Sequence, residues 1–141
     1  MPNAFQVGGL SRPVVADANG TLPLGVRPNR PQSVPLSITG DVTLTAAQCN
    51  HGTHLACVES AVGAGWALTT PAATAIIAAT PDMAIGDLFE MTVFNFTDQT
   101  MTLTAGSGVT VKGTATLATN LAAKIMFTMV TASTMYAQLI Q

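Results

Sequence analysis

Charge is scarce in this chain. Lys, Arg, Asp and Glu together make up 9% of its 141 residues, against about 25% in an ordinary soluble domain. Five Lys and Arg residues cannot build a broad phosphate-binding face, so no nucleic-acid partner is expected. Long apolar runs are missing as well. Stretches such as Ala75–Ala79 fall far short of the roughly 20 residues that a membrane-spanning helix needs, and no membrane association is expected. Met1–Arg12 has no basic start followed by an apolar run, so no signal peptide is expected.

What is present is apolar and small. Hydrophobic residues make up 48% of the chain and the mean hydropathy is +0.44. That composition, with a net charge of only −2, excludes disorder, which needs low hydrophobicity and high net charge. The length suits one domain with a real core. A monomer of that size would ordinarily spread more charge over its surface.

Prolines and charges divide the chain in two. Pro2, Pro13, Pro23, Pro28, Pro31 and Pro35 are six of its eight prolines, a density that blocks helix and favours an extended path. The first 37 residues hold Arg12, Arg27 and Arg30 against Asp17 alone, whereas the remainder sets Lys112 and Lys124 against six carboxylates. Residues 1–36 read as an extended, Pro-rich arm and residues 37–141 as the folded domain. Val14, Leu22, Leu24 and Val26 give the arm apolar contacts, and its arginines suit acidic patches on a neighbour.

From Val34 onward the pattern is β. Leu36–Thr39 leads through Gly40-Asp41 into Val42–Ala46. Further strands are expected at Leu55–Val58, Trp66–Thr70, Thr74–Ala79, Leu88–Phe96, Met101–Ala105, Val109–Lys112, Ala115–Ala118, Lys124–Val130 and Met135–Ile140. Leu88–Phe96 and Met101–Ala105 are expected to pair across a Thr97-Asp98-Gln99 turn. Helix has little support beyond a turn near Thr45–Cys49. About ten short strands between Gly, Asn and Thr turns indicate an all-β sandwich or barrel. Val42-Thr-Leu-Thr-Ala and Met101-Thr-Leu-Thr-Ala echo one another. Thr alternating with apolar residues suits any half-buried strand, so the echo reads as chance rather than as a repeat.

Both alternating faces of Ile125–Val130 are mostly apolar, and the outward face of Met135–Ile140 is only partly polar. A strand with one wet face alternates more cleanly. The second face is covered either by the rest of the domain or by an identical subunit, and low charge favours the subunit. Met126, Thr128, Val130 and Tyr136 are the candidate interface residues of an obligate homo-oligomer.

One cluster holds metal-ligand types: Cys49-Asn-His51-Gly-Thr-His54-Leu-Ala-Cys57. Nine residues hardly wrap one tetrahedral ion. The alternatives are a Cys49–Cys57 disulfide, two free and partly buried thiols, or His51 or His54 meeting symmetry mates on a three-fold axis. No metal or cofactor is assigned. Catalytic motifs are missing: there is no His-Glu-x-x-His, Gly-x-Ser-x-Gly or P-loop. Asp17-Ala-Asn19-Gly20 lacks the later ligands of a calcium loop. Asp82 and Asp87 fall in a turn, and Glu90 lies within a strand where it suits an intersubunit salt bridge. No catalytic residue is assigned and no enzyme is expected.

Several of these segments resemble a recurring module of tailed-phage virion proteins. They are Val42-Thr-Leu-Thr-Ala-Ala-Gln48, Thr69-Thr-Pro71, Ile85-Gly-Asp87-Leu-Phe-Glu-Met-Thr-Val-Phe-Asn95, Met101-Thr-Leu-Thr-Ala-Gly-Ser-Gly-Val109 and Val111-Lys-Gly-Thr114. The resemblance covers about residues 36–141. It implies a β-sandwich or jelly-roll-like homotrimer on the capsid exterior, of the capsid decoration (cement) protein family. The partner would be the major capsid protein, and Arg12, Leu22, Leu24, Arg27 and Arg30 would form the capsid-binding arm. Multivalent contacts would stabilise the shell without catalysis. The competing class is a head- or tail-fibre domain that binds a host surface glycan; Trp66 and Tyr136 are its only obvious aromatic candidates, and both read rather as packing in the core or between subunits. The Cys/His cluster stands outside the family pattern.

Overall fold

The structure, a computed structural model, describes residues 32–59 and 62–141. The arm residues Arg12, Leu22, Leu24, Arg27 and Arg30 lie outside the described residues. Ten strands, one short helix and one 3-10 turn build the described part. The strands are β1 (Gln32–Ile38), β2 (Val42–Thr43), β3 (Thr53–Glu59), β4 (Trp66–Thr69), β5 (Leu88–Asn95), β6 (Met101–Thr104), β7 (Val109–Lys112), β8 (Thr116–Leu117), β9 (Leu121–Thr131) and β10 (Thr134–Ile140). The all-β expectation holds. The boundary of the arm does not: residues 32–36, assigned to it by their prolines, belong to β1. Pro35 is accommodated because β1 is an edge strand, where a missing N–H need not interrupt a ladder.

The strands form a six-stranded sheet in the order β1-β3-β5-β9-β10-β7 and a four-stranded sheet in the order β2-β4-β6-β8. From β1 to β6 the chain alternates between the two sheets. β1, β3 and β5 pair in parallel, and so do β2, β4 and β6. Each parallel crossover therefore runs through a strand of the opposite sheet, where an ordinary parallel pair would use a helix. These coils differ from the antiparallel Greek keys of a jelly roll. They also correct the expected hairpin of β5 with β6: β6 pairs with β4 and β8, while β5 pairs with β3 and β9. The echo falls on β2 and β6, which flank β4 in one sheet, and Leu44 and Leu103 are both buried.

The later chain closes the six-stranded sheet by antiparallel pairing of β9 with β5 and β10, and β7 adds in parallel to β10. Inward side chains of both sheets meet in one core. Ile38, Leu55, Met91, Val93, Ile125 and Phe127 come from the larger sheet, and Trp66, Leu68, Met101, Leu103 and Leu117 from the smaller. Thr74–Ala79, expected as a strand, is helix: α1 spans Ala73–Ala79. Alanine is the best helix former, and Ala73, Ile76 and Ile77 recur at the helical i, i+3, i+4 spacing. Ala73 and Ile76 are buried, and Ile77 packs against the core. The Ala73 amide donates to the Ser107 carbonyl at 2.8 Å, supplying a partner that the first turn lacks.

The segments that carry the resemblance hold this fold together. In Gly86–Asn95, Gly86 takes φ +93°, Asp87 accepts from the Ala84 amide at 2.9 Å, and Phe89 and Val93 enter the core. Asn95 is fully buried, and its amide donates to the carbonyls of Gln99, Leu117 and Ala118 at 2.9, 3.1 and 3.2 Å. It ties the end of β5 to the turn before β6 and to the end of β8. Gly106 passes so close to the Thr70 and Pro71 carbonyls that no side chain fits, and Gly108 has φ +74°.

Candidate functional site: the outer face of the six-stranded sheet

Strand pairing fixes which side chains share the outer face of the larger sheet. One row runs Leu88, Thr128, Tyr136, Thr110, and the next runs Glu90, Met126, Gln138, Lys112. A third runs Ser33, His54, Thr92, Lys124, Ile140, and a fourth Pro35, Ala56, Phe94, Ala122. The burial pattern of β9 separates the two faces: Ala123, Ile125, Phe127 and Met129 are buried, whereas Met126, Thr128 and Val130 are half-buried. Among the described residues, the rest of the domain thus covers one face of the two-sided strands and leaves the other half-buried or exposed.

The four interface candidates come together on this open face. Thr128 and Tyr136 are direct cross-strand partners, Met126 lies one row along, and Val130 lies beyond Thr128 at the end of β9. Leu88, opposite Thr128, is 57% exposed, and Ile85 in the preceding turn is 68% exposed. Tyr136 is exposed, with the Lys112 ammonium 4.6 Å from its ring centroid, a cation–π contact of about 0.5–1 kcal/mol at such a site. Sequence reasoning missed Leu88 and Ile85. The Gly86-Asp87 turn that puts them beside β9 depends on its hydrogen bonds to Met129.

A polar band crosses the middle of the face. Glu90 and Lys124 approach to 3.3 Å within one chain. The Glu90 amide also points at His51 Nδ1, at 3.5 Å. Beyond the band the face turns aromatic. Phe94 and Phe96 rings lie 5.7 Å apart and 6° from parallel, and His54 and Phe94 lie 6.0 Å apart at 22°. Phe96 is 53% exposed. Ser33, His54, Ala56, Phe94 and Phe96 line a shallow depression of about 400 Å3.

The Cys/His cluster does not converge. β3 alternation turns Cys57 into the core and His54 onto the outer face, while Cys49 is buried and His51 is exposed. Both cysteines are free thiols. Burial pushes each thiol from its ordinary value near 9 up to about 12, so they are poor nucleophiles and poor metal ligands. Among the described residues no group of three or more His, Cys, Asp and Glu is placed to hold a metal ion, and no helix is long and apolar enough to cross a membrane. Trp66 is 2% exposed and spends its indole N–H on Thr97, which removes it as a glycan platform. Asn95-Phe-Thr97 has the Asn-x-Thr form of a glycosylation acceptor, but Asn95 is fully buried. Comparison with family models, curated proteins and solved structures finds no match to this chain.

Proposed function

We propose that this chain is a structural virion protein, a homotrimer that binds the outside of a phage capsid and stabilises it. In this reading the Leu88, Met126, Thr128, Val130 and Tyr136 end of the sheet packs against other copies. The arm residues Arg12, Leu22, Leu24, Arg27 and Arg30 engage the major capsid protein. The observation that carries it is the open sheet face: among the described residues only Glu90, Lys112 and Lys124 place charge on it, and large apolar side chains stand exposed at both ends. Large apolar side chains exposed in this way mark an interaction site, and association through them needs no catalysis.

The test has two parts. Native mass spectrometry of the full chain is expected to give a trimer, and Leu88→Glu with Val130→Glu is expected to give a folded monomer; a monomeric wild type overturns the oligomer. Arg27→Glu with Arg30→Glu in the full chain is expected to abolish binding to capsids lacking this protein, and undiminished binding overturns the role of the arm. A deletion designed for the same purpose stops at residue 31, because removing residues 1–35 takes away half of β1.

A further inference from the structure

Among the described residues, exposed large apolar side chains gather at two ends of the outer face. Ile85, Leu88 and Tyr136 stand at one end, and Val58 and Phe96 at the other. The band of Glu90, Thr92 and Lys124 crosses between them. The two ends differ in shape. The first carries a projecting turn. Gly86, at φ +93°, bends it back onto β9, where the Gly86 amide donates to the Met129 carbonyl at 2.9 Å and the Met129 amide to the Asp87 carbonyl at 3.0 Å. The Asp87 carboxylate accepts from the Ala84 amide at 2.9 Å. A turn pinned at three points holds Ile85, the most exposed large apolar side chain among the described residues, in one place. The second end is concave. Its depression, about 400 Å3, is lined by Ser33, His54, Ala56, Phe94 and Phe96, and the stack of His54, Phe94 and Phe96 sets its wall.

We propose that this depression receives the Ile85–Leu88 turn of a neighbouring copy, so that unlike ends of the face meet at every contact of the trimer. The inference rests on the trimer reading and adds to it the surface against which the Leu88 end packs. A two-fold contact joins a patch to itself, but neighbours in a three-fold ring meet head to tail, through two different patches on each chain. The outer face carries two such patches, one projecting and one concave. Area points the same way. Five gaps between its six strands, at about 4.8 Å, and the step from Leu88 to Phe96, at about 3.3 Å per residue, make the face roughly 24 by 26 Å, or about 600 Å2 in plan. A stable interface takes about 800 Å2 from each partner, so a contact between like ends, burying one end per chain, is too small. A ring of unlike contacts buries both ends of every chain. The turn and the aromatic wall are both fixed before they meet, so little side-chain freedom is lost on association.

The test is crosslinking of the full-length chain carrying Ile85→Cys and Ala56→Cys together, treated with a short bismaleimide. Within one chain the rows of Leu88 and Ala56 lie about 20 Å apart along the strands, too far for the reagent, and both native thiols are buried. The double variant is expected to give a covalent trimer, and each single variant no covalent product. Phe96→Glu, a change at an exposed ring, is expected to give a folded monomer by native mass spectrometry and circular dichroism. A native trimer whose double variant fails to crosslink overturns this inference and leaves the trimer standing. So does a Phe96→Glu chain that is still trimeric. Crosslinking of either single variant overturns it as well, because like ends then meet. A monomeric wild type overturns the trimer reading itself, and this contact with it.

Discussion

Trp66 donates its indole Nε1–H to the Thr97 hydroxyl at 3.1 Å, and that hydroxyl lies 2.7 Å from the Asn95 side-chain oxygen. The relay joins β4 of the smaller sheet to the end of β5 in the larger one, at the point where the chain crosses between them. Among the described residues no buried side-chain polar atom lacks a partner, so removing one member of this relay strands the others.

Asn95→Ala is expected to destabilise the fold by about 2–4 kcal/mol, since several buried groups lose their partner at once. Thr97→Val, which keeps the shape and removes one hydroxyl, is expected to cost about 1–2 kcal/mol. Urea denaturation followed by Trp66 fluorescence measures both. Equal stability of Asn95→Ala and wild type would contradict the relay.

Gly108→Ala is expected to cost about 1–3 kcal/mol, because an L side chain is strained at positive φ and the added methyl would lie 2.7 Å from the Ser133 carbonyl oxygen. At Gly40, where nothing lies within 4 Å, alanine is expected to be close to neutral. Melting temperatures of the two variants rank the positions directly.

The buried thiols give a pH dependence of defined sign. Each folded-state value, about 12, lies above the ordinary 9, so the folded state holds its thiol protons more tightly than the unfolded state does. This contribution is fully present below pH 9 and is lost as the pH rises from 9 towards 12. Cys49→Ala with Cys57→Ala is expected to flatten the alkaline fall in stability relative to wild type, measured by denaturation at pH 8 and above. The native thiols are expected to resist a disulfide-exchange reagent at pH 8 and to react on unfolding.

Glu90→Gln is expected to change stability by less than about 0.5 kcal/mol, because an ion pair open to solvent gains little over hydrated charges. The side chains of Glu90 and Lys124 are 38% and 57% exposed. A larger loss, seen as a shifted urea midpoint, would mean that the pair is enclosed by another copy.

The strands were largely legible because the side-chain period of two survives in their sequences. Leu88–Phe96 and Met135–Ile140 are rich enough in apolar and β-favouring residues, and closely enough bounded by turn residues, for their extents to follow within a residue or so. Thr74–Ala79 was misread because a short run of Ala, Ile and Thr fits either period. What decided it was the docking of Ala73 and Ile76 into the core and the Ser107 carbonyl that receives the first helical amide. The start of β1 was placed late for the opposite reason: Pro35 argues against a ladder in sequence, while at an edge it need not break one.

Composition and local pattern by themselves determined that this chain is all-β, short of surface charge, and two-sided at Ile125–Val130. They also determined that Met126, Thr128 and Val130 share one side of their strand, since alternation alone puts them there; the register of β10 on β9 adds Tyr136 to that surface. Only the tertiary structure decided that β1 to β6 wind in parallel between two sheets. That depends on contacts between residues distant in sequence, such as Val42 with Leu68 and Trp66 with Met101. The same coiling turned Cys57 inward and His54 outward, buried Trp66, and set Phe94 between two alanines contributed by different strands. A period of two assigns each side chain to a face, but which strands become neighbours is set by packing of the core they share.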